Sequence, residues 1–352
     1  MGLMGEPLAV PVVHVEHGGP DGGAPVRWDF STNANPLPPP APVLRALRDA
    51  DRGRYPDPQY GALRQGLGAF LGVAPGRVLP TAGSSEGIRR LTLAARLQGV
   101  SVVWVPQPGY GDYRAAAQAL GLEVRGYTSA GALLDGLQRG AGRALVWLCE
   151  PCNPTGATLP AAFWPALQEM AQARGAWLAL DRAYEPLRLW GQDPVPDAVA
   201  QSAWQLGSPN KALGLTGVRA GWIVAPGDGE LGAALLALAP SWVLSAEGVE
   251  FLKAWTLPQT QQVLAAAREQ LKVWKRQQWA ALQALGWKQQ PSVVPFWLAA
   301  PGFSDKQRQL LALRERGVKL RDATSFGLPG WVRVSVQPPQ AQRALAEAWG
   351  EA

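Results

Sequence analysis

The sequence predicts an α/β protein, with a large domain on a mainly parallel sheet and a smaller α+β domain at the C-terminal end. Three observations carry this. Short β-rich runs alternate with helical patterns through most of the chain, and that alternation implies parallel strands covered on both faces. Between Pro240 and Pro258 the character changes and a long helical stretch takes over. Finally, 352 residues at 47% hydrophobic can bury a large core and still leave material for a satellite.

In chain order, residues 1–40 are rich in Gly and Pro. Pro36 and Pro38–Pro40 enforce an extended path, so the segment reads as an N-terminal arm able to reach across a neighbouring surface. The large domain is expected over 41–245. Its first helix shows Leu63, Leu67, Phe70 and Leu71 at helical spacing before Gly72. Strands are expected at 102–105, 124–127, 144–149, 176–181, 203–206 and 221–224, with a helix over 161–174 opening after Pro160. The smaller domain is expected over 246–352. It begins with a long helix whose stripe is Leu264, Ala267, Leu271 and Trp274, ending at Gly286, followed by strand 293–298, helix 305–316, strands 319–321 and 331–336 and a terminal helix.

Composition narrows the function classes. The net charge is +6, but charged residues are only 17% of the chain and form no basic run, which excludes a nucleic-acid partner and suits small anionic ligands. No window has the uninterrupted apolar length of a membrane span, and Met1–Gly5 lacks the start of a signal peptide, so a cytoplasmic protein with no membrane contact is expected. The two cysteines, Cys149 and Cys152, exclude a disulfide framework. With His14 and His17 they could in principle supply four zinc ligands. Their place at the end of an apolar run beside Pro151 favours small buried side chains lining a turn, and no metal is expected.

Four features fall in a chemically sensible order. Gly83-Ser84-Ser85 precedes a helical pattern, where backbone N–H groups and hydroxyls face an anion such as phosphate; alone, the same residues describe an ordinary cap. Asn153-Pro154-Thr155-Gly156 follows one strand and Asp181 closes another, so both sit where α/β sheets bind ligands. A β-turn and a helix cap are the plainer readings. Ser208-Pro209-Asn210-Lys211 follows a further strand, with Arg219 eight residues on. A lysine there can act as an uncharged nucleophilic amine while Ser and Arg neutralise a phosphate, whereas a lone lysine is ordinarily a solvated surface group.

Taken together, these residues resemble the pyridoxal-phosphate enzymes of fold type I, class I/II aminotransferases, over nearly the whole chain. Ser208-Pro209-Asn210-Lys211 and the Gly214–Gly221 run match that family's S-x-x-K and G-L-x-G-x-R-x-G signature. The resemblance implies the aminotransferase-like fold, pyridoxal 5'-phosphate as cofactor, Lys211 as the Schiff-base lysine and a homodimer. It implies that Ser208, Arg219, Gly83, Ser84 and Ser85 hold the cofactor phosphate and that Asp181 pairs with the ring nitrogen. Asn153 and Tyr184 would contact the ring hydroxyl, and Tyr110 would stack on the ring. Arg333 would clamp a substrate carboxylate together with Asn153, and Tyr55 would reach the partner's cofactor phosphate.

Within the family, His17-Gly18-Gly19, the Asp29–Leu37 run, Tyr55–Tyr60 and Leu320–Leu328 look like the patterns of threonine-phosphate decarboxylase of cobalamin biosynthesis. That resemblance implies decarboxylation of L-threonine O-phosphate to (R)-1-aminopropan-2-yl phosphate. His17, Ser31, Asn33 and Arg321 would then receive the phosphate of a small phosphorylated amino-acid substrate. The alternative is an aminotransferase such as one acting on histidinol phosphate. Ala323 stands where the decarboxylase pattern has Cys, and Arg182 where an acidic residue is common.

Overall fold

A computed structural model of the chain describes residues 15–140, 142–227 and 230–351. Strand β1 (Trp28–Asp29) opens the described chain. The large sheet then comprises β2 (Val78–Thr81), β3 (Val100–Pro106), β4 (Glu123–Tyr127), β5 (Arg143–Cys149), β6 (Trp177–Asp181), β7 (Trp204–Gly207) and β8 (Gly221–Val224), in the order β2-β8-β7-β6-β5-β3-β4. Only β8 runs against its neighbours β7 and β2; the other pairings are parallel. Strand β2 contains Pro80, which hides it from a sequence reading. As an edge strand it needs no donor on its outer side, so the proline is tolerated.

Helices on both faces bury the sheet, as the doubly apolar strands require. One core layer gathers Ile88, Leu91, Val103, Leu145, Trp147 and Ile223, and the opposite one gathers Val146, Leu148, Trp164, Leu167 and Leu180. Trp147, Trp164, Trp204 and Trp297 are fully buried, each worth about 2–3 kcal/mol of hydrophobic burial.

The 27-residue helix Pro258–Ala284 buries Leu264, Ala267 and Leu271 on the expected stripe, with Trp274 half-buried. Beyond it come β9 (Lys288–Gln289), β10 (Phe296–Ala300), helix Lys306–Glu315, β11 (Val318–Lys319), β12 (Arg321–Asp322), β13 (Val332–Ser335) and helix Pro339–Gly350. Strands β12-β13-β10-β9 form an antiparallel sheet. Two expectations shift here. The strand expected from Val293 starts at Phe296, because Ser292 Oγ accepts from Val294 N and the Val293 N–H goes to Gly156 O at 2.8 Å, holding the approach as a loop. The strand expected over 319–321 splits at Leu320, its halves joining different sheets.

From residue 15 the expected N-terminal arm runs along its own chain: β1 pairs in parallel with β11, and the Asn35 N–H bonds Lys211 O at 2.9 Å; its first fourteen residues lie outside the described ones. Among the described residues no helix is long and apolar enough to cross a membrane.

Candidate active site

The carboxyl ends of β5, β6 and β7 deliver Asn153, Asp181 and Lys211 to one place, as expected for ligand-binding residues of a parallel sheet. One pocket brings together Ser84, Ser85, Tyr110, Asn153, Tyr184, Lys211 and Arg219 from the large sheet side, Arg321 and Arg333 from the C-terminal sheet, and His17, Ser31 and Asn33 from the N-terminal segment.

Asp181 is buried and fixed. Its Oδ2 accepts from Tyr113 OH at 2.7 Å and its Oδ1 from Ala183 N at 2.9 Å. Tyr113 in turn stacks on Trp147, ring centroids 4.9 Å apart, so the core itself aims the carboxylate. Burial, then the Asp181 charge, pushes the Tyr113 phenol far up, which keeps it a donor.

Lys211 is half-buried, and its Nζ donates to no described residue; the nearest aromatic face is Tyr184, 5.3 Å away. Burial lowers its pKa, opposed by Asp181 and assisted by Arg219, and this enlarges the fraction of free amine at neutral pH.

Gly83 has φ +89°, which favours glycine, and a Cβ there would lie 2.6 Å from Arg219 Nη2. Helix Ser84–Leu97 starts at this point, so its first N–H groups and Arg219 face the same space. Ser85 Oγ lies 3.0 Å from Tyr110 OH, which donates to Asp112 Oδ2 at 2.8 Å. Burial first, then Asp112, raises the Tyr110 pKa, and burial likewise raises that of Tyr184.

Arg333 is buried, with Nη1 bonded to Asn153 Oδ1 at 2.6 Å and Nη2 to Ser31 O at 2.7 Å. Burial lowers its pKa to about 10, still well above neutrality, so it remains a cation. Ser84 Oγ, Asn33 Oδ1 and Arg333 Nε are buried without a hydrogen-bond partner among the described residues. Such atoms call for a polar ligand. A free amine, a fixed carboxylate, a phosphate-sized cradle at a helix start and a buried arginine fit pyridoxal phosphate and an anionic substrate.

Ser208 and Tyr55 are not in the pocket's lining. Ser208 Oγ is 2.8 Å from Asn210 Oδ1 and 3.0 Å from Ala220 O, bracing the turn behind Lys211. Tyr55 is 78% exposed and stacks on Trp242, outside this chain's own pocket. Cys149 is buried and accepts from Asn153 N at 3.4 Å, and Cys152 is half-buried, so both line the turn that carries Asn153; His14 lies outside the described residues. Sequence reasoning missed Glu16, Thr216 and Phe326 in the wall and Tyr113 behind Asp181. Only Tyr113 had a visible signal, directly following Tyr110-Gly111-Asp112 in the sequence.

A fold of this topology with this site defines a class I/II aminotransferase. The aminotransferase class I and II family pattern matches residues 27–348, and the chain belongs to that family. It is 28% identical to histidinol-phosphate aminotransferase of Frankia casuarinae, across 95% of this chain and 87% of that one. It is 29% identical to the enzyme of the same name from Symbiobacterium thermophilum, across 91% and 88%. Among solved structures, histidinol-phosphate aminotransferase of Sinorhizobium meliloti in complex with pyridoxal-5'-phosphate superposes with TM-score 0.78 at 23% identity, covering 94% and 91%. Aspartate aminotransferase of Thermus thermophilus with maleate superposes at 0.80 and 23%, covering 94% and 92%.

These relatives correct the decarboxylase expectation, since they are histidinol-phosphate aminotransferases. The motifs that suggested threonine phosphate as substrate have architectural work instead. Gly18 passes against Ser31 O, where a Cβ would come within 2.0 Å. Asp29 accepts from Ser31 N at 2.7 Å and Thr32 Oγ1 at 2.6 Å, and Leu320–Leu328 carries β12 and the start of its connection to β13.

Proposed function

We propose that this protein is a pyridoxal-phosphate-dependent aminotransferase that moves the amino group of a small phosphorylated substrate of the histidinol phosphate type to a 2-oxo acid. The observation that supports it most is a pocket in which the Lys211 amine has no hydrogen-bond partner and Arg333 keeps a spare donor on the far wall, with Asp181, locked by Tyr113, close enough to Lys211 to act on its charge.

Bound pyridoxal phosphate would supply an electron-accepting ring and an aldehyde that takes and returns the amino group. Lys211 would hold the aldehyde carbon, and Ser84, Ser85, Gly83 and Arg219 the phosphate. Asp181 keeps a proton on the ring nitrogen, and Asn153, Tyr184 and Tyr110 fix the ring. Arg333 with Asn153 orients the substrate's anion. The lysine amine, lowered in pKa by its surroundings, takes the proton from the carbon bearing the amino group. A cytoplasmic homodimer is part of this reading, with exposed Tyr55 directed to the partner's cofactor phosphate. Residues 41–245 carry the cofactor, 246–352 contribute Arg321 and Arg333, and the N-terminal segment closes the pocket.

The test is glutamate formation from histidinol phosphate and 2-oxoglutarate by purified, cofactor-loaded protein. Absence of transfer with this donor overturns the substrate class; absence of any yellow cofactor complex overturns the cofactor assignment.

A further inference from the structure

Two buried arginines face the pocket from the C-terminal sheet, and they are satisfied very differently. Both leave Nε without a partner among the described residues, but the remaining nitrogens of Arg333 meet only uncharged groups, Asn153 Oδ1 and Ser31 O. Arg321 is encircled: Glu16 Oε1 lies 2.6 Å from its Nη1, Glu16 O 2.7 Å and Ser325 Oγ 2.6 Å from its Nη2, and Nη1 also bonds Asp322 O. The Glu16 carboxylate therefore already cancels the charge that Arg321 would offer a ligand. While Arg321 is 2% exposed, the Glu16 side chain is 52% exposed at the pocket mouth, so it can leave without exposing a core. Its neighbours form a thin strap. Val15 packs on Gly111, where a Cβ would meet Val15 Cγ1 at 2.7 Å, and the Gly19 N–H bonds Ser31 Oγ at 2.8 Å.

We propose that Glu16 is a specificity-determining residue, a carboxylate that stands in for the substrate's phosphate on Arg321 and must be displaced by it. A phosphate dianion carries more charge and more acceptor oxygens than a carboxylate, so it takes the guanidinium from Glu16. A donor lacking such a group leaves Glu16 and the strap in place. The inference rests on the amino-transfer reading of this pocket and adds what selects the substrate.

The test uses cofactor-loaded wild type, Glu16→Gln and Arg321→Gln, titrated calorimetrically with inorganic phosphate and assayed with histidinol phosphate and unphosphorylated histidinol. Glu16→Gln should tighten phosphate binding by about tenfold, as expected for removing one competing charge-assisted bond, and Arg321→Gln should weaken it by a similar factor. The KM for histidinol phosphate should fall in Glu16→Gln while that for histidinol stays put. Unchanged or weaker phosphate binding in Glu16→Gln, or equal KM changes for both donors, overturns the proposal and leaves Glu16 a mere anchor for the strap. Tighter phosphate binding without amino transfer from either donor would instead count against the substrate reading and leave the Glu16 assignment standing.

Discussion

The chain half-buries one lysine at the end of its large sheet and fully buries another beside its small one, and their surroundings could hardly differ more. Lys275 is 4% exposed, and its Nζ donates to Ser292 O at 2.7 Å and Val294 O at 2.6 Å with the rings of Trp190 and Trp297 at 4.9 and 5.3 Å. Lys211 has none of these carbonyls, only a charged frame of Asp181 and Arg219 and a single aromatic face. Burial lowers both pKa values, but one amine is saturated with acceptors and the other is left spare. An amine left without acceptors stays available to a ligand, and one capped by two carbonyls does not.

Replacing Lys211 by Ala should give the largest effect, with loss of the visible cofactor complex and a fall in amino transfer of roughly a thousandfold or more. Lys275→Met should keep both, since that amine is structural. Asp181→Asn should come next. It removes the charge that holds the ring-nitrogen proton and lowers kcat by about a hundredfold, with cofactor still bound by absorption.

The smallest effect separates the lysines by pH. Burial takes Lys275 from 10.5 to about 7, against the pull of its two carbonyls, which favour the ammonium. The unfolded chain then holds this proton up to about pH 10.5 while the folded one releases it near 7. Between those values the unfolded state binds more protons, so stability from this group rises with pH and its burial penalty is complete below 7. The melting temperature of wild type should therefore rise relative to Lys275→Met between pH 7 and 9, by on the order of a few degrees. A parallel pair of melting curves across that range would show that the carbonyls hold the charge after all.

Much of this was legible in the sequence. The large sheet was readable because its strands are short apolar runs between helical patterns. Lys211, Asp181 and Asn153 were readable because strand ends place ligand-binding groups. Strand β2 was hidden by Pro80, and the helix Ala41–Asp49 by the proline run just before it. Glu16 had no signal, since its importance depends on meeting Arg321, 305 residues away. The reaction was the least legible part. A lysine amine, a carboxylate at a ring nitrogen and an arginine for an anion would serve decarboxylation and amino transfer equally, so motifs built from such residues do not separate the two.

The pairing of β1 with β11 carries one more consequence. All seven strands of the large sheet have left the ribosome once residue 224 has emerged, but the pocket also needs Arg321 and Arg333. Strand β1, made early, must therefore wait for its pairing partner until nearly the end. A nascent chain halted before β11 would own the scaffold and the cradle at its strand ends but neither arginine, so the wall that meets the substrate's anion is the last part of the pocket to exist.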